Sequence, residues 1–235
     1  MELRLVGSEM CIRDSHASLS NLLSWIQKKL IKKEKYAHIV TAVSKEASKH
    51  AISSVNVQIV PNAIESTHNS HKFTESYDIL FIGRNEKRKN YQLYEQFSLV
   101  PTSKKYKFRA ITNQNINSEN ISVYVNPNNE IKDRLLKNSS IYLAVNTHGE
   151  SFGITIIEAI NSGCIAICSD IEPFKELLEE SGIYFNNNDL KSLTSTVEDI
   201  TSRNAIDVYL KQKEHIKKYE IDKVIPSWIS LYSQI

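Results

Sequence analysis

Glycine is scarce in this sequence, with six in 235 residues. Three of them, Gly149, Gly153 and Gly163, fall in one short stretch, which suggests a need for close backbone approach there. Cysteine is scarcer still, and its three copies exclude a disulfide framework. Cys164 and Cys168 sit in Cys-Ile-Ala-Ile-Cys, which reads as a buried strand. Four steps along a strand separate them by roughly 13 Å, beyond disulfide reach, so both read as small apolar core residues in a reducing cell. Charge of one sign is missing too: 29 basic and 27 acidic side chains leave a formal +2. That balance argues against a dedicated nucleic-acid binder and makes any phosphate binding local. No apolar run reaches the roughly 18 residues of a membrane span, and the amino terminus lacks the basic-then-apolar layout of a secretion signal, so a cytoplasmic location is expected. Repeats and low-complexity tracts are absent. What remains, 41% hydrophobic and 24% charged, is the composition of a soluble globular protein with one large domain or two small ones.

Leu5-Val-Gly-Ser-Glu-Met-Cys-Ile-Arg-Asp-Ser15 resembles translated sequencing-adaptor read-through, and residues 1–15 are set aside as a non-native segment. From Leu19 the apolar residues Leu19, Leu22, Leu23, Ile26 and Leu30 recur at helical spacing, with Lys28, Lys29, Lys32 and Lys33 mostly off that stripe. The basic face of this helix reads as an ordinary solvated face, with a peripheral contact to anionic lipid on the inner face of the membrane as the other reading. His38 to Val43 reads as a strand, Ser44 as a helix cap, and Val57 to Asn62 as an extended segment. The polar stretch 65–76 reads as a linker and places a domain boundary there.

Beyond it, strands (78–82, 107–111, 122–125, 141–145, 165–169) alternate with helices (from about 91, then 130–138, 153–161, 172–180). Such alternation predicts an α/β fold, a Rossmann-like doubly wound parallel sheet, with ligands beyond the carboxyl ends of the strands. Residues 205–235 read as two helices parted near Glu220, with Pro226 in the first turn of the second.

Asn146-Thr-His-Gly-Glu-Ser-Phe-Gly-Ile-Thr-Ile-Ile-Glu-Ala-Ile-Asn-Ser-Gly163 follows an apolar strand and opens a helix. Its turn presents the free amides of a helix amino terminus, a cradle for phosphate or sugar. Glu150 falls in the turn and Glu158 about one and a half turns into the helix, about 8 Å further along. They can hold different parts of one elongated ligand, Glu158 suiting a ribose diol and Glu150 the hydroxyls of a sugar. By spacing alone, a helix-capping Glu150 and a solvated Glu158 fit as well. In Leu80-Phe-Ile-Gly-Arg-Asn-Glu-Lys-Arg-Lys-Asn90, Gly83 ends a strand and a cationic loop brings Arg84 and Lys89 to the same sheet edge. Arg grips phosphate through two parallel hydrogen bonds and Lys adds a mobile point charge. Alone, this loop reads equally as a charged, solvated turn.

Together the two loops resemble the donor-site signature of the family-four retaining glycosyltransferases, also called glycosyl transferases group 1, whose GT-B fold faces two Rossmann-like domains. The resemblance rests on Gly83-Arg84, Lys89-Asn90, Glu150 and Glu158 seven residues apart with Phe152-Gly153 between, Glu158-Ala159 and Ser162-Gly163, and runs from about Ile39 to Tyr232. It implies that 77–204 is the nucleotide-sugar-binding domain, 16–64 a remnant of the amino-terminal acceptor domain, and 205–235 helices that pack back toward that domain. Arg84 and Lys89 are implied to bind the donor diphosphate, Glu158 the ribose and Glu150 the donor sugar. Gly83 and the segment Ser151, Phe152, Gly153, Ile154 and Thr155 complete the implied cradle, and Val125-Asn126 the base site. Glu150, Arg84 and Lys89 are the implied catalytic residues. A nucleotide diphosphate sugar is the implied donor substrate, with no metal or other cofactor expected, because cationic side chains and helix amides can take the leaving-group charge. The acceptor, a glycan, lipid or small molecule, belongs to the missing domain.

The sequence departs from the family in carrying Thr112-Asn113 and Asn126-Pro127 where relatives turn on glycine. As a fragment it is expected to bind donor weakly, to transfer nothing at a useful rate and to be prone to aggregation. Rival readings are a nucleotide-sugar-binding module that never catalyses transfer, an epimerase or phosphorylase on the same architecture, and a membrane-surface protein using the basic helix.

Overall fold

The computed structural model describes residues 40–49, 57–65, 78–202 and 205–233. The segment 1–15, the amphipathic helix from Leu19, and all of the expected linker except Glu65 lie outside the described residues. The chain divides into two compact units: one holds 1–65, 149–152 and 218–235, the other 66–148 and 153–217.

The larger unit is built on six parallel strands in the order β5-β4-β3-β6-β7-β8: β3 (Asp78–Ile82), β4 (Lys107–Thr112), β5 (Ile121–Val125), β6 (Ile141–Ala144), β7 (Ile165–Ser169) and β8 (Ile183–Phe185). Burial follows position in the sheet. The central β6 and β7 are buried at every residue and β3 at all but its last, whereas edge strands β5 and β8 are each buried at one residue. Continuous apolar runs such as Ile-Leu-Phe-Ile therefore mark strands covered on both faces.

Helices α2 (Tyr91–Leu99) and α6 (Leu190–Ser202) pack together, and with Ile79, Phe81, Leu143 and Ile167 their apolar residues form one cluster of twenty buried side chains. Rings crowd it: Phe81 lies 5.6 Å from Tyr91 and 5.3 Å from Tyr94, and Phe97 meets Phe108 edge-on at 5.6 Å. Helix α7 (Ala205–Ile216) packs on α4 (Ile154–Asn161) and on α5 (Glu172–Leu178), and α3 (Asn129–Lys137) links β5 to β6. The fully buried Gln212 of α7 accepts from the Ala166 amide at 2.9 Å and donates to its carbonyl at 2.8 Å, so a side-chain amide stands in for a neighbouring strand. Cys164 and Cys168 are free and fully buried, and burial pushes the Cys164 thiol up to about 12.

The smaller unit carries the parallel pair β1 (Val40–Ala42) and β2 (Val57–Ile59), the single turn α1 (Lys45–Ser48) and helix α8 (Ile221–Tyr232). Ser44 caps α1, accepting from the Ala47 amide at 3.0 Å, as its sequence position predicts. Ile64 bridges Glu220, its amide reaching the Tyr219 carbonyl at 2.9 Å. Val60, Val224 and Leu231 close a small core with Trp228 against it.

Three sequence expectations change. Pro226 lies inside α8 as its sixth residue, beyond the first turn, so it costs α8 a hydrogen bond. The boundary expected at 204 falls at 217, because α7 packs on α4, α5 and β7. Residues 183–202, unassigned from sequence, hold β8 and α6. Among the described residues no helix is long and apolar enough to cross a membrane.

Candidate ligand-binding site

In chain order the sheet starts at its centre with β3, grows outward through β4 and β5, then returns past β3 to β6, β7 and β8. Loops leaving β3 and β6 therefore diverge at their carboxyl ends and open a crevice, the place where open α/β sheets bind ligands. Gly83 follows β3 and Asn146-Thr147-His148 follows β6, which sets the cationic loop and the start of the glycine-containing turn on either side of this switch point.

The β3 loop is stiff. The Gly83 amide donates to the Ile111 carbonyl at 3.0 Å, and a Cβ there would lie 2.7 Å from the buried Phe81 ring and 3.3 Å from Lys89 Cβ. Only glycine lets strand and loop approach this closely. The 3-10 turn Lys87–Lys89 follows, and Asn90 takes a left-handed φ of 54° to start α2. Glu86 organises the cations: Arg88 Nε donates to it at 2.8 Å, while Arg84 Nη1 lies 3.7 Å away, too far for a hydrogen bond. Arg88 is 9% exposed and structural, since its carbonyl accepts the Thr147 amide at 2.8 Å and so ties the two loops together. Arg84, with 57% of its side chain exposed, is left to meet an anion.

Across the switch point, α4 begins at Ile154 behind Gly153, whose φ of 96° suits glycine alone. A Cβ there would crowd Ile156 and Leu177 at 3.2 Å and Phe174 at 3.3 Å. Gly153, at the cap position, brings no side chain to the first amides of α4, and a helix start of this kind suits an anion. Glu158, the one ionisable residue of α4, is half-buried and accepts from Lys132 Nζ of α3 at 2.7 Å, so it is not a solvated carboxylate.

At the β4 and β5 ends, asparagine does what glycine was expected to do. Asn126 takes a φ of 43° and donates its amide to the Thr112 carbonyl at 2.9 Å, and Asn113 Oδ1 accepts the Asn85 amide at 2.7 Å. Asparagine tolerates the left-handed region better than other non-glycine residues, so the departure keeps the turn. Val125 is 43% exposed beside it.

The larger unit thus holds Gly83, Arg84, Lys89, Val125, Asn126, Gly153, Ile154, Thr155 and Glu158 of the expected set. The smaller holds Glu150, Ser151 and Phe152, where Ser44 Oγ donates to the Ser151 carbonyl and the Phe152 ring meets Tyr219 edge-on at 5.4 Å. Sequence reasoning missed four polar contributors at the crevice. Thr147 Oγ1 lies 2.8 Å from His148 Nδ1, Asn187 Nδ2 donates to the Thr147 carbonyl at 2.9 Å, and Lys132 meets Glu158. Thr147 and His148 lay in the singled-out stretch; the signal for Lys132 was a basic residue in the first turn of a helix, against the macrodipole.

A family model described as glycosyl transferases group 1 matches residues 63–222. The chain is 35% identical over 52 residues to the phosphatidyl-myo-inositol mannosyltransferase of Mycobacterium tuberculosis, covering 22% of this chain and 14% of that one. It is 24% identical over 119 residues to the GDP-mannose:cellobiosyl-diphosphopolyprenol alpha-mannosyltransferase of Xanthomonas oryzae, covering 48% and 31%. The matched parts thus span less than a third of these relatives. Among solved structures, the pneumococcal O-GlcNAc transferase GtfA in complex with UDP and GlcNAc superposes with a TM-score of 0.72 at 12% identity, covering 87% of this chain and 46% of that one, a likeness of fold.

Proposed function

The chain belongs to the glycosyl transferases group 1, and from that premise we propose that it supplies the nucleotide-sugar side of an enzyme that moves a hexosyl unit from a nucleotide diphosphate sugar to an acceptor hydroxyl with retention of configuration. The observation that carries this reading is the switch point itself, with an exposed Arg84 on one side and, on the other, a helix start behind a left-handed glycine with Glu158 further along the same helix. Arg84 and Lys89 bind the diphosphate, one by a planar two-pronged grip and the other as a point charge, and stabilise it as it leaves. The amides of Gly153, Ile154 and Thr155 add fixed dipoles that need no rearrangement during reaction. Glu158 takes the ribose, and Val125-Asn126 lies at the base end. Glu150 is assigned to the transferred sugar by the family resemblance alone. In a retaining reaction of this kind the departing phosphate accepts the acceptor proton, which removes the need for a side-chain base. The acceptor is bound by parts of the enzyme beyond the unit that carries this sheet.

One of the relatives is named for GDP-mannose and the GtfA structure is described with UDP, so guanosine and uridine donors come first in a test. Calorimetric titration of the full chain with guanosine, uridine and adenosine diphosphates and their sugar conjugates should find one base preferred. Arg84→Ala and Glu158→Ala should each weaken that ligand about tenfold or more, the worth of a charge-assisted hydrogen bond. A folded chain that binds none of them, or binds them equally well with either variant, would overturn the reading.

A further inference from the structure

Most ion pairs among the described residues join near neighbours in sequence; Glu158 to Lys132 and Arg109 to Asp78 join different elements, the latter tying the adjacent strands β4 and β3. Lys49, Lys175 and Lys217 form pairs three residues apart along one helical segment, the pattern of ordinary surface charge. Lys132 and Glu158 come from different helices, meet at 2.7 Å, and have 27% and 32% of their side chains exposed. Lys132 follows the α3 cap closely: Asn128 Oδ1 accepts the Ile131 amide at 2.9 Å, and the Lys132 amide reaches the Asn128 carbonyl at 3.0 Å. A cation in this first turn opposes the helix dipole, so it does not serve α3. It serves α4 little more, since a partly exposed pair contributes modestly to stability.

Each partner also has capacity to spare. Among the described residues the Glu158 carboxylate is bonded to Lys132 alone, through Oε2, which leaves Oε1 as an acceptor. Lys132 Nζ has three protons and gives one to Glu158. Side by side, the pair presents one strong acceptor and one strong donor. A vicinal diol is their complement, because one hydroxyl can donate to the carboxylate while its neighbour accepts from the ammonium.

We propose that Lys132 is a specificity-determining residue of the ribose subsite, holding the Glu158 carboxylate in place and donating to the second hydroxyl of the diol, so that the site selects ribonucleotides over deoxyribonucleotides. The inference rests on the reading of Glu158 as the ribose carboxylate. It makes the subsite a two-residue device in which neither partner discriminates without the other.

Dissociation constants for guanosine, uridine and adenosine diphosphates and their 2′-deoxy counterparts test this on the full chain, as wild type, Lys132→Met, Lys132→Arg, Glu158→Gln and the Lys132→Met/Glu158→Gln double variant, with circular dichroism melting to show each is folded. Wild type should prefer the ribose form about tenfold. Lys132→Met should bring that ratio to about one, Lys132→Arg should restore part of it, and the double variant should discriminate no worse than either single one. A merely structural tie would weaken both ligands alike and leave the ratio unmoved. If Glu158→Gln loses the preference while Lys132→Met keeps it, the role of Lys132 is overturned and the ribose role of Glu158 stands. If wild type shows no preference, or binds no nucleotide, both fall together.

Discussion

The two units of this chain differ in what holds them. The larger gathers twenty buried side chains into one cluster beneath a six-stranded sheet, and the smaller rests, among the described residues, on Val60, Val224 and Leu231 with Trp228 beside them. Strand length separates them too: β3 and β4 pair over five residues, β1 and β2 over three. A short two-stranded pair buries too little apolar surface to stand alone, so the smaller unit depends on its terminal helix and on the 60–65 segment that bonds to Tyr219 and Ile221. The sheet unit supplies its own core, and that is why it can carry a strained, glycine-dependent crevice.

The strongest way to break this comparison is to truncate a core side chain on each side. Phe81→Ala, in the middle of the aromatic cluster, should cost about 3–5 kcal/mol, and Leu231→Ala about 2 kcal/mol, because fewer neighbours are lost. Urea denaturation of both variants measures the gap, and equal losses would mean that the smaller core is larger than these residues show. Gly153→Ala probes the strain that the larger core sustains: at a φ of 96°, with packed side chains 3.2 Å from the new methyl, a loss of about 1–3 kcal/mol is expected. A neutral result in thermal melting would show that the turn relaxes and that its left-handed backbone is dispensable. The smallest effect should come from Ser44→Ala, about 1 kcal/mol, since it removes a cap and a bond to the Ser151 carbonyl from the smaller unit. Amide exchange should quicken at residues 45–49 and stay unchanged in β3 and β6, and faster exchange in β6 would mean that the two units open together rather than independently.

Much of the larger unit was legible in the sequence because its signals are dense. Ile-Leu-Phe-Ile in β3 and Ile-Ala-Ile in β7 are runs that only a doubly covered strand needs, and the spacing between them gives α/β alternation. β8 went unread because three residues, Ile-Tyr-Phe, carry no period. α6 went unread although its apolar residues Leu193, Val197 and Ile200 stand at helical spacing. α7 was read as a helix but assigned to the wrong unit, since its spacing says nothing about which surface Tyr209, Gln212 and Ile216 will meet. In the crevice, Gly83 and Gly153 were visible as glycines in a chain that has few, whereas the spacing of the two glutamates left open whether either was a cap or a solvated charge.

The sequence by itself determined the kind of sheet, the two loops at its carboxyl edge and the residue types placed there, because strand burial, helix starts and glycine turns are local matters of side-chain pattern and backbone sterics. Only the tertiary structure decided that Asn126 would take a left-handed turn after β5, that Arg88 would be buried as a tie while Arg84 stayed exposed, and that Lys132 would meet Glu158 across 26 residues of chain. Those outcomes depend on which distant groups arrive within 3 Å of one another, and no local period encodes that distance.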